Sequence, residues 1–445
     1  MEIAPVSSAT PVSGSSRVSE ATRATPAPPV PECMSESRHD PIHGRWTIYA
    51  PRRGERPNEF ATADPAATSS SDCPFCQGQE HVTPAAVWVG RLHDGTFAER
   101  PGHVDGTDPG HRHQPHAPFS SDPFLGGGPP HGPAGGPVAD ASAVREWVGG
   151  YGRDGADGER GERWSVRVVP NKFPAVGPAA RPGLGHPPRS GALFQSKPLT
   201  GGHEVIIDSP CHAGSLTELD VAQVELVFAA YRDRIRHWRS VSGIRYISVF
   251  KNVGRDAGAS LYHSHGQLIA TSAIPTDVAR TSERLERYRA MTGCCLHCDL
   301  IRAELKEKSR VIAANGSVVA FCPFAGSLPY LVRITTREHQ ANFDDLADGQ
   351  IREVARMVRR VLGWLERLQP GIAYNFLLHT MPPRSRRDPD AHHWCLELFP
   401  RMTQIAGFEW GSHCMINPVL PEVAAAHYRE LARAESPRRP LRSAE

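Results

Sequence analysis

Apolar residues return at steps of three, four, three and four in two separate stretches: Val221, Val224, Phe228, Tyr231 and Ile235, then Ile351, Val354, Val358, Val361 and Leu365. That rhythm is the period of a one-sided amphipathic helix. Ahead of each lies a strand-like apolar run, residues 204–208 in one case and 331–335 in the other, and each run leads into a histidine, His212 or His339. Behind each helix a further apolar run, 246–250 or 374–378, precedes a second histidine, His263 or His393. The two histidines are 51 residues apart in the first stretch and 54 in the second. The pattern predicts one strand, helix and strand unit present twice.

A Cys-x-x-Cys pair stands upstream of each unit, Cys73 with Cys76 and Cys295 with Cys298. Two thiolates and two imidazoles suit tetrahedral zinc with every position filled by side chains, which makes a structural site rather than a Lewis acid. The expected sets are Cys73, Cys76, His212 and His263, and Cys295, Cys298, His339 and His393. The Cys pairs lie over two hundred residues apart, too far for a zinc ribbon. A thioredoxin-like redox role suits a lone Cys-x-x-Cys, and the matching histidines behind each pair argue against it. Ten cysteines and no apolar core run in the first thirty-odd residues point to a reducing compartment, and the expected location is the cytoplasm.

His263-Ser264-His265-Gly266-Gln267 reads as part of a strand, on which residues two apart share a face. With His263 on metal, His265 is left bare. Its unperturbed pKa of about 6.5 leaves the imidazole mostly neutral near pH 7, fit to attack phosphorus. Gln267 can offer an amide N–H to a phosphate oxygen. Upstream, the small-residue loop from Asn252 to Ser260 lets a phosphate approach the backbone. The competing reading is a core strand with two satisfied histidines. In the second unit Cys395 and Glu397 stand where His265 and Gln267 stand in the first, so the metal is kept and the nucleophile lost. Cys395, among Leu and Phe neighbours, is expected to be inert.

These residues carry a resemblance. The chain resembles the galactose-1-phosphate uridylyltransferase family of the histidine-triad superfamily, over about residues 38–428 apart from an insertion. The shared motifs are Arg38-His39-Asp40-Pro41 to Arg56-Pro57, Cys73-Pro74-Phe75-Cys76, Val169-Pro170-Asn171-Lys172-Phe173-Pro174, Ser209-Pro210-Cys211-His212, Phe250-Lys251-Asn252 and the His-Ser-His-Gly-Gln row. The resemblance implies an α+β fold of two tandem histidine-triad-like repeats, each an antiparallel sheet flanked by helices, working as a homodimer on a nucleotide-sugar and a sugar phosphate. It assigns the nucleophile to His265 and zinc to Cys73, Cys76, His212 and His263. Asn171 is implied at the nucleotide, and Asn252, Ser260 and Gln267 at the phosphates. Gly407-Phe408-Glu409 is similar to a segment that reaches the partner subunit's sugar, which carries over Phe408 and Glu409. The second metal set implies zinc, with iron as the alternative.

Ser264 stands where typical uridylyltransferases have proline, and several stretches look closer to the plant-type ADP-glucose phosphorylase branch. The first functional reading is a UDP-glucose:hexose-1-phosphate uridylyltransferase of galactose metabolism, acting through a nucleotidyl-histidine. The alternatives are an ADP-glucose phosphorylase, which moves an adenylyl group to phosphate, and a non-catalytic zinc-stabilised scaffold. A histidine-triad hydrolase normally lacks the Cys pairs and the duplication.

Composition adds bounds. The 445 residues, 39% hydrophobic, fit two domains: 35–275 with the nucleophile, interrupted by a Gly/Pro/His-rich insertion at about 101–163, and 276–432. Residues 1–34 and 433–445 read as tails; the first is too poor in large apolar groups to repay ordering entropy. A formal net charge of +2 gives no nucleic-acid or membrane footprint, and no apolar run nears the roughly 18 residues of a membrane helix.

Overall fold

The computed structural model describes residues 35–51, 73–93, 96–97, 164–178, 193, 198–383 and 388–435. The expected tail 1–34, the insertion at about 101–163 and Arg56-Pro57 lie outside the described residues. So does all but the start of the 433–445 tail, whose first three residues finish a helix.

The strands are β1 (Glu36–Asp40), β2 (Arg45–Tyr49), β3 (Trp88–Gly90), β4 (Leu92–His93), β5 (Thr96–Phe97), β6 (Val166–Pro170), β7 (Gly201–Ile207), β8 (Tyr246–Val253), β9 (His265–Thr271), β10 (Val311–Ala314), β11 (Val318–Phe321), β12 (Val332–Thr336), β13 (Tyr374–His379), β14 (Cys395–Pro400) and β15 (Met415–Asn417). The helices are α1 (Val221–Ser240), α2 (Thr276–Thr292), α3 (Leu296–Glu307), α4 (Asp348–Leu368), α5 (Gly407–Ser412) and α6 (Pro421–Glu435). Ten strands form one antiparallel sheet in the order β10-β11-β12-β14-β13-β8-β9-β7-β6-β3. Each half supplies five of them, and the halves join where β8 pairs with β13. The fold is therefore α+β and antiparallel, as in the two-repeat expectation. No helix among the described residues is long and apolar enough to cross a membrane.

The two periodic helices settle on one face of the sheet. Asp220 caps α1 by accepting from Gln223 N at 2.7 Å, and the apolar stripes of α1 and α4 pack against each other and the sheet as one core. Residues 206 and 268 point into that core, so 205, 207, 265 and 267 point the other way. On that second face the halves differ. The second half covers it, Ile301 of α3 packing on Val319 and Phe321 and Leu285 of α2 meeting Ile42 and Leu296. The first half has a smaller cluster there, Trp164, Val169, Val205 and Ile207 with Phe75 against it, and beside this cluster lies the His265 row.

Candidate active site and metal centres

The strand expected to carry His263, His265 and Gln267 begins only at His265. His263 and Ser264 precede it in an irregular segment, held by Ser264 N donating to Ala213 O at 2.7 Å. The second half behaves alike, with His393 and Trp394 ahead of β14. A histidine that must turn its ring toward ligands from two other loops does not fit a regular pleat, and pairing starts at His265, the residue after Ser264.

The first metal set gathers at those loops. Cys73 and Cys76 share a turn closed by Cys76 N to Cys73 O at 3.3 Å, and Gln77 N donates to Pro210 O at 3.0 Å, tying that turn to the loop that bears His212. Sulfur to Nδ1 separations are 3.5 Å for Cys73–His263, 3.3 Å for Cys76–His212 and 3.6 Å for Cys76–His263. Ligands at zinc's usual bond lengths, placed tetrahedrally, stand about 3.5 Å apart for sulfur and nitrogen. The four donors fit. His263 Nε2 donates to Ser209 O at 2.9 Å, which fixes the tautomer that leaves Nδ1 for a metal.

Cys295, Cys298, His339 and His393 form the second group, their donor atoms, like those of the first, all within 4.8 Å of one another. Cys298 Sγ lies 3.3 Å from His339 Nδ1 and 3.5 Å from His393 Nδ1, and His393 Nε2 meets Thr336 Oγ1 at 3.1 Å. Cys295 is the N-cap of α3, where the helix dipole favours a thiolate. A hydrogen bond from Cys298 pulls the Cys295 thiol down while Cys298 itself is pushed up.

His265 sits two residues beyond the first group. Its Nδ1 lies 2.8 Å from His263 O. A carbonyl only accepts, so Nδ1 carries the proton and Nε2 keeps its lone pair. Burial lowers the ring's pKa and favours this neutral form. Phe75 meets the ring edge-on, 5.3 Å between centroids.

Gln267 lies on the same face, and the β8–β9 register, with Lys251 opposite Gly266, puts Asn252 beside His265 on that face too. Asn171 follows β6, its N–H donating to His203 O at 2.7 Å. Ser260 is exposed on the loop after β8. Phe408 and Glu409 are on α5: Phe408 is 52% exposed, and Glu409 accepts from Ala406 N at 3.1 Å, capping the helix start. No described hydrogen bond or ring contact joins either to the His265 row.

Behind the row stands a group that the motifs contain but the sequence reading left without a role. Lys251 is fully buried, donates to Asp208, and donates to Ser264 Oγ at 2.9 Å; Ser264 Oγ donates in turn to Asp208 Oδ2 at 2.8 Å. Ser264 therefore bonds to the ion pair through the hydroxyl that a proline would lack.

The second row is built differently. Glu397 at the Gln267 position pairs with Arg333, its cross-strand neighbour, where Gln267 faces Val205. Burial opposes both charges, yet each holds the other ionised. Cys395 is buried, and burial pushes its thiol up to about 12, which matches the inert reading. A cavity of about 310 Å³ opens over this row, lined among others by Asp40, His43, Arg333, His379, Cys395 and Glu397. Its carboxylates suit it poorly to phosphate.

Residues 156–275 match the family model for the N-terminal domain of galactose-1-phosphate uridyl transferase. The chain is 27% identical to an ADP-glucose phosphorylase of Arabidopsis thaliana, the match covering 89% of this chain and 93% of that protein. A crystal structure of an ADP-glucose phosphorylase from Arabidopsis thaliana with bound ADP-glucose superposes with a TM-score of 0.63 at 25% identity, over 89% of this chain and 99% of that one. Residues 156–275 thus carry the N-terminal domain of the galactose-1-phosphate uridylyltransferase family, and the match to the plant ADP-glucose phosphorylase extends the likeness along most of the chain. The chain is a nucleotidyltransferase of that family. Within the family, the galactose-1-phosphate uridylyltransferase of Thermotoga maritima is 25% identical over 53% of this chain and 76% of its own length.

Proposed function

We propose that this family member transfers the adenylyl group of ADP-glucose to inorganic phosphate through a covalent intermediate on His265. The observation that carries the chemistry is the 2.8 Å bond from His265 Nδ1 to the His263 carbonyl, which leaves Nε2 as a neutral nucleophile. What favours adenylyl over uridylyl transfer is the extent of likeness: 89% of the chain matches an ADP-glucose phosphorylase, against 53% for the Thermotoga uridylyltransferase. The alternative of the sequence reading is thus preferred to its first reading.

In the first step Nε2 attacks the α-phosphorus, an N–P bond forms, the P–O bond to glucose 1-phosphate breaks, and that phosphate leaves as an anion. The Nδ1 proton stays in its bond to the His263 carbonyl, which shares the positive charge placed on the ring. In the second step a phosphate oxygen attacks the same phosphorus, the N–P bond breaks, and ADP departs with the ring restored. Asn171, Asn252, Ser260 and Gln267 hold the nucleotide and phosphates, and positioning with charge stabilisation supplies most of the acceleration. Cys73, Cys76, His212 and His263 would hold one zinc and Cys295, Cys298, His339 and His393 a second; with four side-chain ligands each ion would anchor its loops and offer no position to substrate. In this reading 35–275 and 276–432 are duplicated halves, of which only the first keeps the nucleophile.

The test is labelling. Protein mixed with adenine-labelled ADP-glucose and quenched in alkali is expected to carry an acid-labile label, lost on adding phosphate with release of ADP. His265→Ala should take up no label and lose roughly 10⁴-fold or more in turnover while keeping its zinc. Label from UDP-glucose but not ADP-glucose, discharged by galactose 1-phosphate, would restore the uridylyl reading; no label from either would favour the scaffold.

A further inference from the structure

Three side-chain amides stand at the site, and each has its oxygen already taken. Asn171 Oδ1 accepts from Phe173 N at 2.8 Å. Gln267 Oε1 lies 2.9 Å from His203 Nε2. Asn252 Oδ1 accepts from Asn375 Nδ2 at 2.8 Å. An amide has one acceptor end and one donor end, and which faces where is settled by its partners. Here each orientation traces back to a backbone group that has no choice. Phe173 N–H can only donate. The N–H of Ala175 points at His203 Nδ1 from 3.2 Å, so in neutral His203 the proton is on Nε2 and goes to Gln267. Asn375 Nδ2 also donates to Ala257 O at 2.9 Å, so the amide end facing Asn252 is the donor end.

The consequence is a site that presents N–H₂ groups. Among the described residues the Gln267 and Asn252 amide nitrogens have no protein acceptor. Asn171 Nδ2 lies 3.2 Å from His203 Nε2, but both are donors and do not bond, so its hydrogens too are left for another acceptor. Asn252 and Gln267 share the face of His265, on neighbouring strands.

We infer that His203 and Asn375 are positioning residues that hold Gln267 and Asn252 with their N–H₂ ends toward the phosphates of the substrate. Neither residue touches the reacting atoms. His203 acts from β7, diagonal to Gln267 across the β7–β9 pair. Asn375 acts from β13 in the other half, across the strand pair that joins the two. The half without a nucleophile thereby contributes an orienting amide to the half that has one, and charge developing on the phosphate meets donors already aimed. This rests on the nucleotidyl-transfer reading for its catalytic meaning, and not for its binding consequence.

The decisive variant is Asn375→Asp, nearly the same shape, which sets a carboxylate oxygen against Asn252 Oδ1 and drives the Asn252 amide to turn its oxygen to the substrate. ADP affinity by calorimetry and the rate of His265 labelling are expected to fall by roughly ten- to a hundredfold, the range of one hydrogen bond to a charged group. Asn375→Ala, which merely frees the amide, should lose less. In an Asn252→Ala background Asn375→Asp should add little. His203→Gln, which can still donate, should keep more activity than His203→Leu, and His203→Leu should add little to Gln267→Ala. Melting temperature and zinc content should stay near wild type in the Asn375 variants. Equal losses with and without Asn252, in ADP affinity, would overturn the inference and leave Asn375 a packing residue. Calorimetry needs no turnover, so an unlabelled wild type would defeat the proposed reaction, while the affinity cycle would still decide the orienting role.

Discussion

Lys251 carries a heavy electrostatic demand: a fully buried ammonium whose pKa burial lowers and the Asp208 carboxylate holds up. Asp208 Oδ1 has no partner among the described residues, so both hydrogen bonds to its side chain, from Lys251 and from Ser264, fall on Oδ2. Removing one member of a buried pair leaves the other uncompensated. Lys251→Met is therefore expected to lower unfolding free energy by about 3–5 kcal/mol in urea titration, and Lys251→Met with Asp208→Leu to recover much of it. Ser264→Ala removes one acceptor and one donor from the same group and should lose about 1–2 kcal/mol. Gly266 has a different constraint. A Cβ there would stand 2.4 Å from the Tyr231 hydroxyl oxygen, itself without a hydrogen-bond partner among the described residues. Gly266→Ala should destabilise by about 1–3 kcal/mol and slow labelling by shifting His265, and Tyr231→Phe in that background should restore part of both.

The metal-bearing loops are the elements on which the site depends, because His263 and its carbonyl are held from outside the sheet. Each group should bind one zinc, giving two per chain by elemental analysis. Cys76→Ser is expected to lose one zinc, lower the melting temperature and abolish labelling, since the His263 carbonyl that fixes His265 moves with its ring. Cys298→Ser should also lose one zinc and stability, yet retain measurable labelling, because the second row holds Cys395 and an Arg333–Glu397 pair instead of a nucleophile. Labelling that survives Cys76→Ser at the wild-type rate would detach the metal from the alignment of His265.

Across the whole molecule the halves are one body among the described residues. The sheet runs through β8 and β13, the helices α1 and α4 share one core, and Arg239 of α1 clasps Asp344 of the second half through two bonds of 2.8 Å. Separate expression of residues 276–432 is expected to give insoluble protein, since it uncovers both the β13 edge and the α4 stripe. Trp46, Phe408 and Trp410 are all more than half exposed, large apolar groups of the kind a second copy would cover. If the homodimer implied by the resemblance forms there, Phe408→Ala with Trp410→Ala should shift the protein toward monomer in sedimentation.

The duplicated helix period and the two Cys₂His₂ groups were legible in the sequence, because each depends on spacing and side-chain chemistry that the chain carries locally. The Cys-x-x-Cys and histidine spacings needed no tertiary model to be paired. What the sequence could not supply was set by contacts between residues far apart along the chain. His203 and Gln267 are brought diagonal by the β7–β9 register, and Asn375 reaches Asn252 only because the halves share a sheet. A lone histidine in an apolar run and an asparagine in a strand leave no local mark of such a role. The departure of His263 from the strand likewise follows from ligands converging on it from separate loops. Amide orientation, the fusion of the halves and the ion pair behind the row belong to the tertiary structure, since hydrogen-bond direction is fixed only when both partners are in place.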